Sequence, residues 1–347
     1  MALAFIHGDT FDTRSAAQMS RRYTSGSVGG VVTGAATRYN YGQAADGVSA
    51  LRKDFPATYR YFIIGVAPRL NTSFSGQTLL RVQDDTSVHC GVALNVDGSV
   101  DILGPAFETH ASSTAGILSL GTWHHLCLAL DIGNTGNARV FVDGVAVATA
   151  TSKDLQGGSN QFGASVILGV GGTEAPQCDD YYIMGGNSTA NLYAEVPGPG
   201  GGGDLSGTHY MPIADEGAND WPPSAGTDHY AMVDEIPADD DTTYLIGTTA
   251  EDTELYTFPP LEPDVGQIMF VQRSFMGQQD EGSSGPQVIK NAVKRSGTIY
   301  EDAVEHSLQA FGSIREFTDL TPNDPSTGLP WTSAGFAAMA SGFRKKS

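Results

Sequence analysis

Few side chains in this chain have the type and spacing to do chemistry. Two adjacent imidazoles, His124 and His125, stand in the run Thr122-Trp123-His124-His125-Leu126-Cys127-Leu128-Ala129-Leu130. Read as a strand of period two, the run turns them to opposite faces, which disqualifies them as a two-ligand metal clamp. One imidazole is expected to pack in the core with a nitrogen bonded to a backbone group. Three consecutive carboxylates, Asp239, Asp240 and Asp241, repel one another unless a cation or a basic partner sits nearby. There is no G-x-S-x-G elbow and no P-loop, and nothing in the spacing groups a serine, a histidine and an aspartate. The three cysteines, Cys90, Cys127 and Cys178, have no metal-like spacing. They read as small buried hydrophobes of a reducing compartment.

The elements that must carry these residues are strands. Glycine (43) and proline (17) make up about a sixth of 347 residues, and only 17% are charged, a balance suited to short strands and tight turns. Asp143-Gly144, between Ala138-Arg139-Val140-Phe141-Val142 and Val145-Ala146-Val147, is a hairpin signal, because a type I′ turn needs two residues that tolerate positive φ. Val96-Asp97-Gly98 repeats it. Leu126, Leu128 and Leu130 share one face of their strand, and Trp123, His125, Cys127 and Ala129 share the other. Both faces are semi-apolar, so this strand is central. The stretch 59–67 is apolar on both parities, as in a strand covered on two sides. Further strands are expected within 5–12 and 26–32, with a short helix or turn at 15–22 between them, and at 78–82, 92–103, 165–170 and 178–183.

The composition breaks at Pro197-Gly198-Pro199-Gly200-Gly201-Gly202-Gly203, which reads as a loop or linker. Because 208–213 still suits a closing strand, the boundary is placed at 215: one domain over 1–215 and a second, smaller β-rich domain over 216–347. Strands are expected there at 243–247, 266–273, 287–293, 297–300 and 313–318, helix or strand at 303–311, and a Gly- and Ala-rich tail after Thr332. Strands at about ten-residue intervals again suggest a sandwich.

The net charge of −20 is uneven: residues 1–194 hold 15 acids against 11 bases, and 195–347 hold 24 against 8. Between 204 and 264 stand fifteen acids and no Lys or Arg. That excludes a phosphate-tracking surface there and argues against nucleic acid or an anionic membrane as partner. No run approaches the eighteen or so apolar residues of a membrane span, and Met1-Ala2-Leu3-Ala4-Phe5-Ile6 has no basic region like that of a secretory signal. Synthesis in a cytoplasm is expected.

The Trp-His-His strand followed by the Val-Asp-Gly hairpin resembles the concanavalin A-like jelly roll of laminin-G and pentraxin-type domains. The order of segments along the chain resembles a virion protein of tailed bacteriophages. An opening F-x-x-G-D-x-F-D at 5–12 precedes the jelly roll; an acidic Y-x-x-V-D-E-x-P-x-D-D-D-T-T-Y at 230–244 and a closing D-P-x-T-G-x-x-W-T at 324–332 follow it. The resemblance implies an all-β fold, a concanavalin A-like sandwich plus the smaller β-rich domain. It also implies a non-enzymatic structural protein of the head surface or tail, made in the host cytoplasm and resident in the virion. Its partners would be other virion proteins, with homo-oligomers, trimers among them, in keeping. The acidic docking candidates are then Asp239, Asp240 and Asp241.

The same resemblance sets two further expectations. Related lectin-like jelly rolls hold calcium at a sandwich rim through carboxylates, which makes Asp84, Asp85, Asp179 and Asp180 the metal candidates against the alternative of bare surface acids. Related glucanases carry E-x-D-x-x-E; no such triplet occurs, and Glu301-Asp302-Ala303-Val304-Glu305 has the wrong spacing and lies outside the jelly roll. Hydrolysis is therefore not expected. The aromatics Trp221, Trp331, Tyr181 and Tyr182, with Tyr230 and Tyr256, are either platforms for host glycan, as in a receptor-binding lectin module, or packing groups at a core or interface.

Overall fold

A computed structural model describes the chain except residues 1–2, 10, 12–21, 34–37, 39–42, 74–75, 86, 171–175, 199–201, 204, 206, 235–241, 262–266, 280–286 and 312–313. The helix or turn expected at 15–22 falls almost wholly outside the described residues, and Asp239, Asp240 and Asp241 fall wholly outside. The chain divides into two compact units, Met1–Thr208 and His209–Ser347.

In the first unit the strands run β1 (Ala4–Asp9), β2 (Ser25–Ser27), β3 (Gly30–Thr33), β4 (Gln43–Asp46), β5 (Ser49–Tyr59), β6 (Tyr61–Arg69), β7 (Gln77–Gln83) and β8 (Val88–Leu94). They continue with β9 (Val100–Leu103), β10 (Thr109–Ser112), β11 (Leu126–Asp131), β12 (Gly136–Val142), β13 (Val145–Lys153), β14 (Gly163–Val170) and β15 (Gln177–Gly186). One sheet has the order β13-β12-β11-β6-β15-β4-β3, with β1 also on β15; the other has the order β10-β9-β8-β7-β14-β5-β2. This is a jelly-roll sandwich. Its core lies between the sheets, where Leu126, Leu128 and Leu130 of β11 meet Leu80 and Val82 of β7 and Val92 and Leu94 of β8 in one buried cluster.

Strand β11 is central and two-faced, as its alternation requires. Cys127 and Ala129 point away from the main core into a second cluster with Ile63, Tyr182 and Met184, roofed by Leu3, Leu192 and Val196. Gly202 and Gly203, at the end of the glycine-rich run, pack closely against this unit: a Cβ on Gly202 would stand 2.3 Å from Gly144 Cα, and one on Gly203 2.4 Å from Cys127 Cβ. Tyr182 Oη donates to Gly203 O at 2.5 Å. Only glycine lets the backbone lie this close. Edge strand β13 carries two register shifts against β12, a device that blunts an edge against pairing.

The second unit contains β16 (Ala214–Asn219), β17 (Thr253–Thr257), β18 (Val271–Gly277), β19 (Val288–Arg295), β20 (Thr298–Glu301), β21 (His306–Ser307), β22 (Arg315–Thr321), the short helix α1 (Ser333–Ala337) and β23 (Ala340–Lys345). One sheet has the order β16-β17-β23-β19-β20 with β21 on β19, and β18 and β22 form a separate two-stranded ribbon. Three expectations need correction. Residues 208–213 form no strand, and Ile213 N–H bonds Thr257 O inside the second unit. The segment 243–247 contributes one isolated bridge, Leu245 with Pro223, instead of a strand. The small-residue C-terminus is no tail: Thr332 Oγ1 caps α1 by accepting from Gly335 N–H at 2.9 Å, and β23 lies between β17 and β19. Gly342 there leaves no room for a Cβ, which would stand 1.9 Å from Glu254 O.

Candidate functional site

At one end of the sandwich three loops are tied into a rim. The hairpin between β12 and β13 turns through Asp143 (φ 49°) and Gly144 (φ 80°), both in the left-handed region as the type I′ reading requires. The β8–β9 hairpin turns at Asp97-Gly98. The connection entering β11 lies across it, with Gly116 N–H donating to Asp97 O and Leu118 N–H to Gly98 O, both at 2.9 Å.

His124 joins that connection to the other turn. Its Nδ1 is 2.7 Å from Asp143 Oδ2, and its Nε2 is 3.1 Å from both Ser119 N and Ser119 Oγ. Asp143 Oδ1 accepts His125 N–H at 2.8 Å. Burial pushes the Asp143 carboxyl up, but the hydrogen bonds from His124 and His125 outweigh it and hold the group below its usual range. An ionised Asp143 fixes the proton of His124 on Nδ1, so Nε2 is the acceptor.

The order serine, histidine, aspartate is that of a nucleophile with its base and orienting acid, and no motif in the sequence points to Ser119. The geometry also ties loops together. The single Nε2 lone pair receives the Ser119 backbone N–H, so the hydroxyl at equal distance competes for an acceptor already engaged. The neighbouring Gly121 and His124 N–H groups donate to Leu70 O at 2.7 Å and Pro68 O at 3.2 Å and are spent as oxyanion donors. The hollow beside the trio, lined by Pro68, Leu70, Leu94 and Leu118, has room for about one water. His124 is a clasp between two loops.

His89 does the same elsewhere in the sandwich. Its Nδ1 accepts Gly157 N–H at 2.9 Å and its Nε2 bonds Phe162 O at 3.1 Å. Burial pushes its pKa down, consistent with a neutral bridging ring. His125 is fully buried, as the sequence anticipates, and its ring stacks on Tyr182 with centroids 6.1 Å apart; the ring-to-backbone hydrogen bonds are those of His89.

The four carboxylates considered for calcium differ in their surroundings. Asp84 is buried and accepts Ser87 N–H at 2.6 Å and Asn160 Nδ2 at 3.1 Å, whereas the Asp85 side chain is 88% exposed and reaches Arg52 at 3.5 Å. Asp179 accepts the N–H of Asp180 at 2.9 Å. Asp180 pairs with Arg38 at 2.8 Å and accepts Gly207 N–H at 2.8 Å. Among the described residues no three His, Cys, Asp or Glu side chains stand together as a metal site. Each of the buried acids Asp84, Asp179 and Asp180 accepts hydrogen bonds from protein donors, as a charge taken out of water requires.

The aromatic candidates are packing groups. Tyr181, Tyr182, Trp221 and Trp331 are all buried. Trp331 Nε1 donates to Thr321 O at 2.9 Å within the cluster of Val271, Val293, Phe336 and Met339. Trp221 lies edge-on to Phe343, centroids 4.8 Å apart. None offers an open face to a sugar ring.

The second unit holds the groups that sequence reasoning missed. Glu254 of β17, Phe343 of β23 and Asn291 of β19 are in register across one face. Glu254, fully buried, accepts Trp221 N–H at 2.5 Å and faces His229 Nδ1 at 3.2 Å. Burial pushes its carboxyl up to about 6. Asn291 Nδ2 donates to Asp319 Oδ2 at 2.5 Å, and His306 Nε2 lies 2.7 Å from the same oxygen. Arg273 of the ribbon bonds Asp302 and Thr321. Burial raises both aspartates; at Asp319 the donors win and the carboxyl ends low, whereas at Asp302 burial and the neighbouring Asp319 win over Arg273. Glycoside hydrolysis needs two carboxylates flanking an open cleft; Glu254 and Asp319 are buried and occupied by protein donors.

Neither a family model nor a curated protein matches the chain. Solved structures with a similar course are β-sandwich domains. Domain 4 of AbnA, a GH43 extracellular arabinanase from Geobacillus stearothermophilus, in complex with arabinotriose, has 20% identity and a TM-score of 0.36 over 55% of this chain and 96% of its own. The heptameric SAP-like pentraxin of Limulus polyphemus has 17% and 0.28 over 38% and 67%. The Caenorhabditis elegans galectin LEC-6 has 10% and 0.28 over 39% and 89%. At these values the likeness is one of lectin-like sandwich architecture and assigns no site.

Proposed function

We propose that this chain is a non-enzymatic structural component of a tailed-phage particle, at the head surface or in the tail, working through protein–protein contacts. The observation that carries this is the His124 clasp. Among the described residues, the Ser119-His124-Asp143 grouping has its base lone pair on a backbone N–H, and the neighbouring Gly121 and His124 N–H groups are bonded within the protein. Asp84, Asp179 and Asp180 likewise accept from groups of the protein itself. What such a frame offers a partner is shape and charge. The order of the opening, acidic and closing motifs along the chain supports placement in a virion, and a charge of −20 suits docking on basic patches of a capsid or tail.

The test is to add purified full-length chain to particles prepared without it and to measure co-sedimentation, with a glycan array and a reducing-sugar assay run in parallel. Saturable binding to the depleted particles is expected, with no glycan retained and no sugar released. Glycan binding without particle binding would replace the proposal by a lectin module, and sugar release by a hydrolase.

A further inference from the structure

The rim itself has a composition that turns rarely carry. Hairpin tips are normally polar because they face water, yet three large apolar side chains stand out here: Val96 at 75% exposure, Leu120 at 45% and Val145 at 65%. Each sits next to a residue of the hydrogen-bonded chain that runs through the three loops. Val96 precedes Asp97, whose carbonyl takes Gly116 N–H. Leu120 follows Ser119, held by His124. Val145 follows the turn whose Asp143 holds the other end of His124.

The charge on these tips has one sign. Asp97 and Asp143 flank the apolar residues, and neither the two turns, 94–100 and 142–147, nor the connection 113–125 contains a Lys or Arg. The cations behind the rim are engaged: Arg69 lies over the Trp123 ring at 6.0 Å, and Arg38 pairs with Asp180 at 2.8 Å. Asp97 is held below the usual carboxylate range by hydrogen bonds from Ser99, so it stays ionised. The other obvious contact device, strand pairing at β13, is obstructed by its two register shifts.

We propose that the Val96–Leu120–Val145 rim is the docking surface of the jelly roll and that its occupant is a protein surface of the particle with an apolar centre ringed by Lys or Arg. The apolar side chains lose water on contact and supply affinity. Asp97 and Asp143 pair with the basic ring and supply orientation and rate. The His124 clasp, together with the backbone hydrogen bonds to Asp97 and Gly98, ties the three loops to one another, which lowers the entropy cost of binding.

This inference rests on the virion reading, and the test separates the two. Full-length wild type and the variants Val96→Asp, Leu120→Asp, Val145→Asp and the triple variant are titrated onto particles lacking the chain. Phe107→Asp, an exposed apolar position outside the rim, is the control, and melting temperatures establish folding. Each rim variant is expected to bind about tenfold or more weakly, the triple variant not at all, and Phe107→Asp as wild type. Salt raised from about 0.05 to about 0.5 M is expected to weaken wild-type binding severalfold. Wild-type binding with an equally tight, folded triple variant overturns the rim and leaves the virion reading standing. Failure of the wild type to bind removes both.

Discussion

The two units solve the same problem, how to hold strands together, with different materials. The jelly roll relies on area: thirty or so apolar side chains between the sheets and a second apolar layer outside β11 and β6. Its polar residues staple loops at the ends. Among the described residues the C-terminal unit has apolar clusters of only five and three buried residues, yet it buries about as much charge as the larger jelly roll: Glu254, Arg273, Glu316, Asp319, Asp324 and Lys345 against Asp9, Arg22, Asp84, Asp179 and Asp180. Area burial is indifferent to pH and tolerant of shape-conserving change. Buried charge is neither, because removing one partner strands the other in a medium that solvates it poorly. Buried charge is thus a larger share of what holds the C-terminal unit than of what holds the jelly roll, and the C-terminal unit is the more sensitive of the two to protonation.

The largest effect that would sharpen this contrast is at Asp319. Asp319→Ala leaves Asn291 and His306 without their shared acceptor and should cost the C-terminal unit about 3–5 kcal/mol in denaturant unfolding; a loss below about 1 kcal/mol would mean that the network contributes little. In the jelly roll, Leu128→Ala at the centre of β11 opens a cavity and should cost about 2–5 kcal/mol, equally at pH 5 and pH 8. A pH-dependent cost there would break the comparison.

A finer separation lies within one acidic pair. Asp84→Ala removes two hydrogen bonds from a buried turn and should cost about 1–3 kcal/mol. Asp85→Ala should change stability by less than about 0.5 kcal/mol. Millimolar calcium or chelator should shift neither melting temperature; a rise with calcium that Asp84→Ala abolishes would restore the metal reading of that loop.

The smallest effect is a slope. The Glu254 pKa rises from 4.5 to about 6 on folding. The stability this confers is complete below about 4.5 and is lost as pH rises through about 6. Between pH 5 and 7.5 the melting temperature of the C-terminal unit should therefore fall more in the wild type than in Glu254→Gln, which keeps the acceptor and cannot ionise. Parallel slopes would show that Glu254 titrates normally.

The jelly roll was legible because its rules are local. The Leu126-Leu128-Leu130 alternation announced a two-faced strand, and Asp143-Gly144 a type I′ turn. The rim site was half legible: His124 and Asp143 were in view as strand and turn residues, but Ser119 comes to them only through the course of the loop. Gly202 and Gly203 misled because a backbone packed too closely for a Cβ has the same composition as a flexible linker. The C-terminus misled for a related reason: Gly342 and Ser341 sit in a central strand where neighbours crowd the backbone, and small residues there read as a tail. Glu254 carried no sequence signal, since burial of one acid among fifteen is a property of register.

The central claim, contact without chemistry in an assembled particle, is tested most directly by electron micrographs of purified virions labelled with antibody to this chain. The account predicts label at one fixed position on every particle. Label absent from intact and from gently opened particles alike, with the chain found only in the lysate, would contradict it.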